Sequence, residues 1–214
     1  MAQILNTLAH EIRTPLAVSQ GYLKLYIDGR LTAPADQQRA LQQTREALGV
    51  IATLCADISR VATLSEVAAP ALAERLDVAA LVAELKGSGD LAGAAWRDAG
   101  LPTARVATNA PGDVVRAIVV LAKAACDEGR SAPHAIDVTG DHEWLAIRVG
   151  TVDGAAALPP GPDGAGAAEF NVVRGGNGLT LIWATFVLRQ HRIQTWTHRD
   201  HKASVGFRIP LTTL

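Results

Sequence analysis

Two long apolar stripes near the start of the chain limit its fold more than any other feature. Between residues 2 and 28, Leu5, Leu8, Ile12, Leu16, Leu23 and Tyr26 recur in steps of three, four or a whole heptad, with Ser19 in the remaining step. That spacing traces one side of a helix. Gly29 offers a left-handed stop, and Arg30 to Ala35, containing Pro34, forms a short connection. A second stripe runs from Asp36 to about Val67 through Leu41, Thr44, Leu48, Ile51, Cys55, Ile58 and Ala62. Gln37, Gln38, Arg39, Arg45 and Glu46 mark its wet side. Two helices joined in this way make an antiparallel hairpin with a single internal seam. Leu54, Val61 and Leu64 widen the second apolar arc beyond what one partner covers, so two copies closing a four-helix bundle are expected.

Ala68, Ala69 and Pro70 end this region, and the pattern then changes. Asp77 is placed as an N-cap for a helix from Val78 to Leu85. A short strand follows around Arg105 to Ala107, then a helix from Asp113 to Ala125, and strands over 135–139 and 144–149. A helix over 179–189 and strands over 192–197 and 204–209 complete the order. The class is α+β, with a hairpin domain over 1–69 and a mixed domain over 70–214. Between Asp153 and Gly166, glycine, alanine and three prolines predict a flexible loop without regular structure.

Composition excludes several functions. Of 214 residues, 20 are basic and 21 acidic, a net charge of −1 that lacks the excess expected for gripping nucleic acid. No apolar run approaches a membrane span and no signal peptide opens the chain, which points to a cytoplasmic protein. Cys55 and Cys126 lie far apart among apolar neighbours, a pattern of buried free thiols. His134, His142, His191, His198 and His201 show no metal-ligand spacing.

The chemistry lies in Leu8 to Leu16, LAHEIRTPL. At about 100° per residue, His10 falls opposite the Leu8/Ile12 stripe and points to solvent, with Thr14 one turn on and on the same face. An imidazole nitrogen is both a good nucleophile toward phosphorus and a good leaving group from a phosphoramidate, so a phosphoryl group can pass through it. Glu11 can take the proton of the ring and act as base. Pro15 removes a backbone donor and is expected to bend the helix beside the histidine.

This segment resembles the phosphoacceptor box of bacterial sensor histidine kinases. The resemblance implies a dimeric helical hairpin followed by an α/β sandwich of the histidine kinase ATPase type. It implies His10 as phosphoacceptor, Glu11 as its base, and Thr14 as a residue orienting water against a receiver phosphoaspartate. It also implies an ATP site of three parts. The glycine box is similar to Gly175-Gly176-Asn177-Gly178-Leu179-Thr180-Leu181, with Thr180 in place of a glycine, so Gly176 and Gly178 are vestigial nucleotide contacts. The helix that should carry the magnesium asparagine has none and offers Lys123 instead. After the 144–149 strand, Thr151 or Asp153 stands where an adenine-reading aspartate belongs, without its glycines, and of the lid only Glu169, Phe170 and Arg174 remain.

These departures favour a histidine phosphotransferase of a phosphorelay. His10 would exchange a phosphoryl group with the receiver aspartate of a response regulator, the receiver would supply Mg2+, and this protein would bind no metal, ATP or other cofactor. Two alternatives stay open. One is a divergent ATP-dependent kinase, excised from a longer sensor because the sequence starts close to His10 without an input domain. The other is a pseudokinase scaffold that only binds a receiver.

Overall fold

The computed structural model describes residues 2–66, 74–98, 100–129, 132–170 and 178–212. It divides into two compact units, residues 1–66 with 173–182, and residues 67–172 with 183–214.

The hairpin pairs α1 (Ala2–Ile27) with α2 (Pro34–Glu66). Gly29, at φ 63°, takes the left-handed conformation that the sharp exit from α1 needs. Small and hydroxyl side chains build the seam. Ser19, Ala40, Thr44, Ala47 and Leu54 are buried, with Ile12, Ile51 and Ile58 half-buried beside them. Ser19 and Thr44 are buried at little cost because each hydroxyl donates to the carbonyl one turn back, Pro15 and Ala40 respectively, both at 2.9 Å. The expected second stripe therefore splits. Thr44, Ile51 and Ile58 enter the seam, whereas Leu41 and Leu48 stay 48% and 51% exposed and Cys55 is exposed with them. Cys55 is thus not the buried thiol expected from its neighbours. In a hairpin of two, the alternate members of a heptad stripe point past the partner helix and are covered only by a further helix. The side chains of Leu5, Leu8, Val61, Ala62 and Leu64 lie outside the described residues.

In the second unit, β1 (Glu74–Asp77), β2 (Ala95–Asp98), β3 (Arg105–Thr108), β4 (His134–Gly140), β5 (Trp144–Thr151), β7 (Gln194–His198) and β8 (Ser204–Thr212) form one sheet, with the two-residue β6 (Ala167–Ala168) at its β7 edge. The order is β1-β3-β8-β5-β4-β2. β8 holds the sheet together. One edge pairs along its length with β5, and the other is shared between β7 at 206–208 and β3 at 211–212. All pairs are antiparallel except β2 with β4. Ile136, Val138, Leu145, Ile147, Val149, Val205, Phe207 and Ile209 are fully or almost fully buried on one face. That face receives α3 (Val78–Gly87), α4 (Pro111–Glu128) and the C-terminal part of α6 (Gly178–Gln190) through Leu81, Leu85, Ile118, Leu121 and Val187. His191, at the end of α6, is buried. It donates from Nδ1 to the Val187 carbonyl (2.8 Å) and accepts the Asn109 N–H at Nε2 (3.4 Å), tying α6 to the loop that starts α4.

Three expectations change here. Asp77 stands at the N-cap of α3 but makes no capping bond, because its carboxylate pairs with Arg105 at 2.8 Å across β1 and β3. β1 and β2, at four residues each, are too short and too polar to announce themselves by periodicity. The segment from Asp153 to Gly166 is irregular only from Leu158 onward, because its start is helical. Thr151 caps α5 (Val152–Ala157) by accepting the Gly154 N–H at 3.1 Å, and Leu158 and Pro159 are buried.

These residues cover the sheet face opposite α4. On that face Arg148 donates to the Leu158 carbonyl at 3.4 Å, and the Trp196 indole lies flat across Gly206. A Cβ at residue 206 would collide with the Trp196 ring at Cε2. We expect Gly206→Ala to lower the unfolding free energy by about 1–3 kcal/mol through overpacking. Urea denaturation of the two proteins measures it.

Candidate functional site

The circumference of α1 is divided between packing and water. Taking about 100° per residue, Ser19 and Ile12 lie about 180° and 160° from His10, so the seam stands opposite the imidazole. His10 and Thr14 are both exposed, and Thr14 is about 40° round from His10. Glu11 and Pro15 occupy the half-buried shoulder between that face and the seam. α1 continues as helix through Pro15, which brings no N–H to the Glu11 carbonyl. Arg13 is exposed.

Below His10 the same arc runs through Thr14, Ala17 and Gly21, all exposed. Gly21 meets nothing within 4 Å where a side chain would begin, so no packing within this protein requires a glycine there. A glycine inside a helix costs about 1 kcal/mol relative to alanine. The low profile of this arc leaves the approach to His10 open. Sequence reasoning passed over Ala17 and Gly21, whose only signal was their helical register with His10.

The arrangement fits nucleophilic transfer. A solvent-facing imidazole on a rigid helix can meet a phosphoryl donor held by another molecule, and a hydroxyl one turn away can share hydrogen bonds with that donor or with water.

The second unit carries the positions that the resemblance assigned to a magnesium nucleotide. Lys123, on α4, is exposed and its Nζ lies 2.6 Å from Asp90 Oδ1 in the 3-10 turn Gly89–Leu91. The hydrogen bond and charge of Asp90 hold the ammonium above its ordinary pKa. An ammonium at this position repels a divalent cation, and α4 supplies no asparagine to ligate one. Beyond β5, Thr151 is consumed in capping α5 and Asp153 sits exposed in its first turn. Glu169 pairs with Arg189 at 3.3 Å, and Phe170 is buried. Arg174, Gly175, Gly176 and Asn177 lie outside the described residues, while Gly178 opens α6. Cys126 is half-buried at the end of α4, and burial pushes its thiol up to about 11, which makes it a poor nucleophile. Among the described residues no three His, Cys, Asp or Glu side chains gather to hold a metal, and no helix is long and apolar enough to cross a membrane.

Comparison with known proteins agrees with this geometry. Residues 1–66 match the His Kinase A (phospho-acceptor) domain. The fold is similar to that of the Acinetobacter baumannii histidine kinase AdeS, with a TM-score of 0.52 and 16% identity over 95% of this chain and 98% of that one. It is also similar to full-length ShkA, solved in complex with AMPPNP, with a TM-score of 0.56 and 18% identity over 99% of this chain and 46% of that one. A search of curated proteins gives no match. Residues 1–66 thus fall in the His Kinase A (phospho-acceptor) domain family, and the fold over nearly the whole chain is similar to that of histidine kinases.

Proposed function

We propose that the protein is a dimeric histidine phosphotransferase, working in the cytoplasm, that carries a phosphoryl group between response regulator receiver domains through His10 and without ATP. One contrast carries this reading. The phosphoacceptor box is complete in sequence with His10 and Thr14 exposed, whereas the position for a magnesium ligand holds Lys123 paired with Asp90. The course of the β5–α6 connection supports it, because Leu158 and Pro159 are buried on the sheet face away from α4.

In the transfer, the imidazole nitrogen of His10 attacks the phosphorus of a receiver's aspartyl phosphate. The P–N bond forms as the P–O bond to the carboxylate breaks, and the receiver aspartate leaves as a carboxylate. Glu11 takes the ring proton, and the reverse step delivers the group to a second receiver. Mg2+ comes with the receiver and neutralises charge on the phosphoryl oxygens. Thr14 orients water when the acceptor is a water molecule rather than His10.

Dimerisation follows from the stripe left open on the hairpin. His Kinase A domains are dimeric and pair with response regulators, and Leu41, Leu48 and Cys55, at heptad spacing and exposed, are the side chains a second copy would cover. Leu48→Glu should shift the protein from dimer to monomer in light scattering at micromolar concentration. An unchanged dimer would place the interface elsewhere.

Two substitutions test the chemistry. His10→Ala should abolish uptake of label from a phosphorylated receiver while leaving the dimer intact, because the side chain lies off the packing arcs. Thr14→Ala should leave uptake nearly unchanged and slow net hydrolysis of the receiver phosphoaspartate. Wild-type rates of uptake in His10→Ala would refute the assignment. In titration calorimetry we expect no heat of binding for magnesium ATP, and micromolar affinity would return the protein to the ATP-dependent kinases.

A further inference from the structure

The sheet face opposite α4 carries a cleft that the proposed phosphotransfer does not use. It has a volume of about 460 Å3 and opens between the ends of β4, β5 and β8 and the segment 160–164. Its floor is the Trp144 indole, with the Arg208 guanidinium stacked 4.2 Å above the ring centre.

Arg208 differs from other arginines of the sheet. Arg97 is paired with Asp137 at 2.6 Å and Arg105 with Asp77 at 2.8 Å. Arg208 is half-buried and, among the described residues, has no ion pair or hydrogen bond, so its planar fork of donors faces the cleft uncommitted. Its diagonal neighbour on the same face, Arg148, donates to the Leu158 carbonyl and, among the described residues, pairs with no carboxylate. The open donors of Arg208 in the cleft favour an anionic group.

The wall above is built to come close. A Cβ at Gly164 would strike the Pro159 ring, and one at Gly161 would stand 3.6 Å from Arg208 Nη1. The rim has the opposite charge. Asp163 is exposed on the segment above, and Asp141 is exposed on the turn below. Asp141 Oδ1 accepts the backbone N–H groups of Glu143 and Trp144 at 2.7 and 2.8 Å, which fix that carboxylate at the edge. A guanidinium inside with carboxylates outside disfavours a polyanion and favours a ligand that carries both signs.

We propose that this cleft binds a small zwitterion of amino-acid or dipeptide size, its carboxylate on Arg208 over Trp144 and its ammonium between Asp141 and Asp163. The chemistry is that of a free amino acid or short peptide. A polypeptide end presents only one of the two charges.

Amide NMR of the full-length, isotope-labelled protein tests it. Glycylglycine serves as the zwitterion, N-acetylglycine mimics the carboxylate end of a polypeptide, and glycinamide mimics the amino end. Glycylglycine should give saturable shifts at Gly161, Gly164 and the Trp144 indole N–H, with several-fold weaker binding of the two singly charged probes. Arg208→Gln should weaken glycylglycine by about tenfold or more. Asp163→Asn, at an exposed position that leaves the fold undisturbed, should weaken glycylglycine several-fold and leave N-acetylglycine unchanged. No saturable shift up to about 50 mM would overturn the proposal. So would equal binding of glycylglycine and N-acetylglycine, or wild-type affinity in Arg208→Gln.

Discussion

A helix has one circumference, and α1 has to serve three neighbours with it. Ser19 and Ile12 face α2, Leu16, Leu23 and Ile27 form a second arc left exposed in the single hairpin, and His10, Thr14, Ala17 and Gly21 hold the remaining side toward water. At about 100° per residue these arcs can coexist only if the seam is narrow. The side chains inside it are accordingly small: Ala40, Thr44 and Ala47 from α2 against Ser19 from α1, with both hydroxyls satisfied on their own helices. A wider seam would draw the half-buried Glu11 shoulder, and then His10, into the interior. The accessibility of His10 is therefore a consequence of how little surface the hairpin needs to close.

The second unit solves a different problem, which is to cover both faces of a sheet. α3, α4 and α6 cover one face through aliphatic side chains, and the other is covered by the residues that follow β5. The second covering is built on close contact rather than bulk: Trp196 lies across Gly206, and Leu158 and Pro159 settle over Arg148. This geometry bears on function. On the proposed reading, the residues that cap α5 and form the Lys123–Asp90 pair stand at positions the resemblance assigns to a nucleotide and its metal.

Much of this was legible in the sequence, and the reasons are particular. Long helices of regular period, such as α1, α2 and α4, declare themselves because many residues repeat one signal. Gly29 declares its own conformation, at φ 63°. The phosphoacceptor box is legible because its residues are contiguous on one helix, so register alone places Thr14 beside His10. What depends on distant partners was not legible. Nothing local reveals that Asp77 prefers Arg105 to the N-terminus of α3, or that Lys123 finds Asp90, 33 residues away in the sequence. The prolines after Asp153 do interrupt regular structure from Leu158 onward, but nothing local shows that Pro159 is buried. The Trp144–Arg208 stack joins residues 64 apart and leaves no trace in periodicity.

The source of the phosphoryl group is the most direct test of the account. Wild-type protein would be incubated in parallel with magnesium and γ-labelled ATP, and with a receiver domain carrying labelled aspartyl phosphate, and the acid-labile, base-stable label on the protein measured in each. The account predicts label on His10 from the receiver and none from ATP. Stoichiometric label from ATP, with none from the receiver, would contradict it.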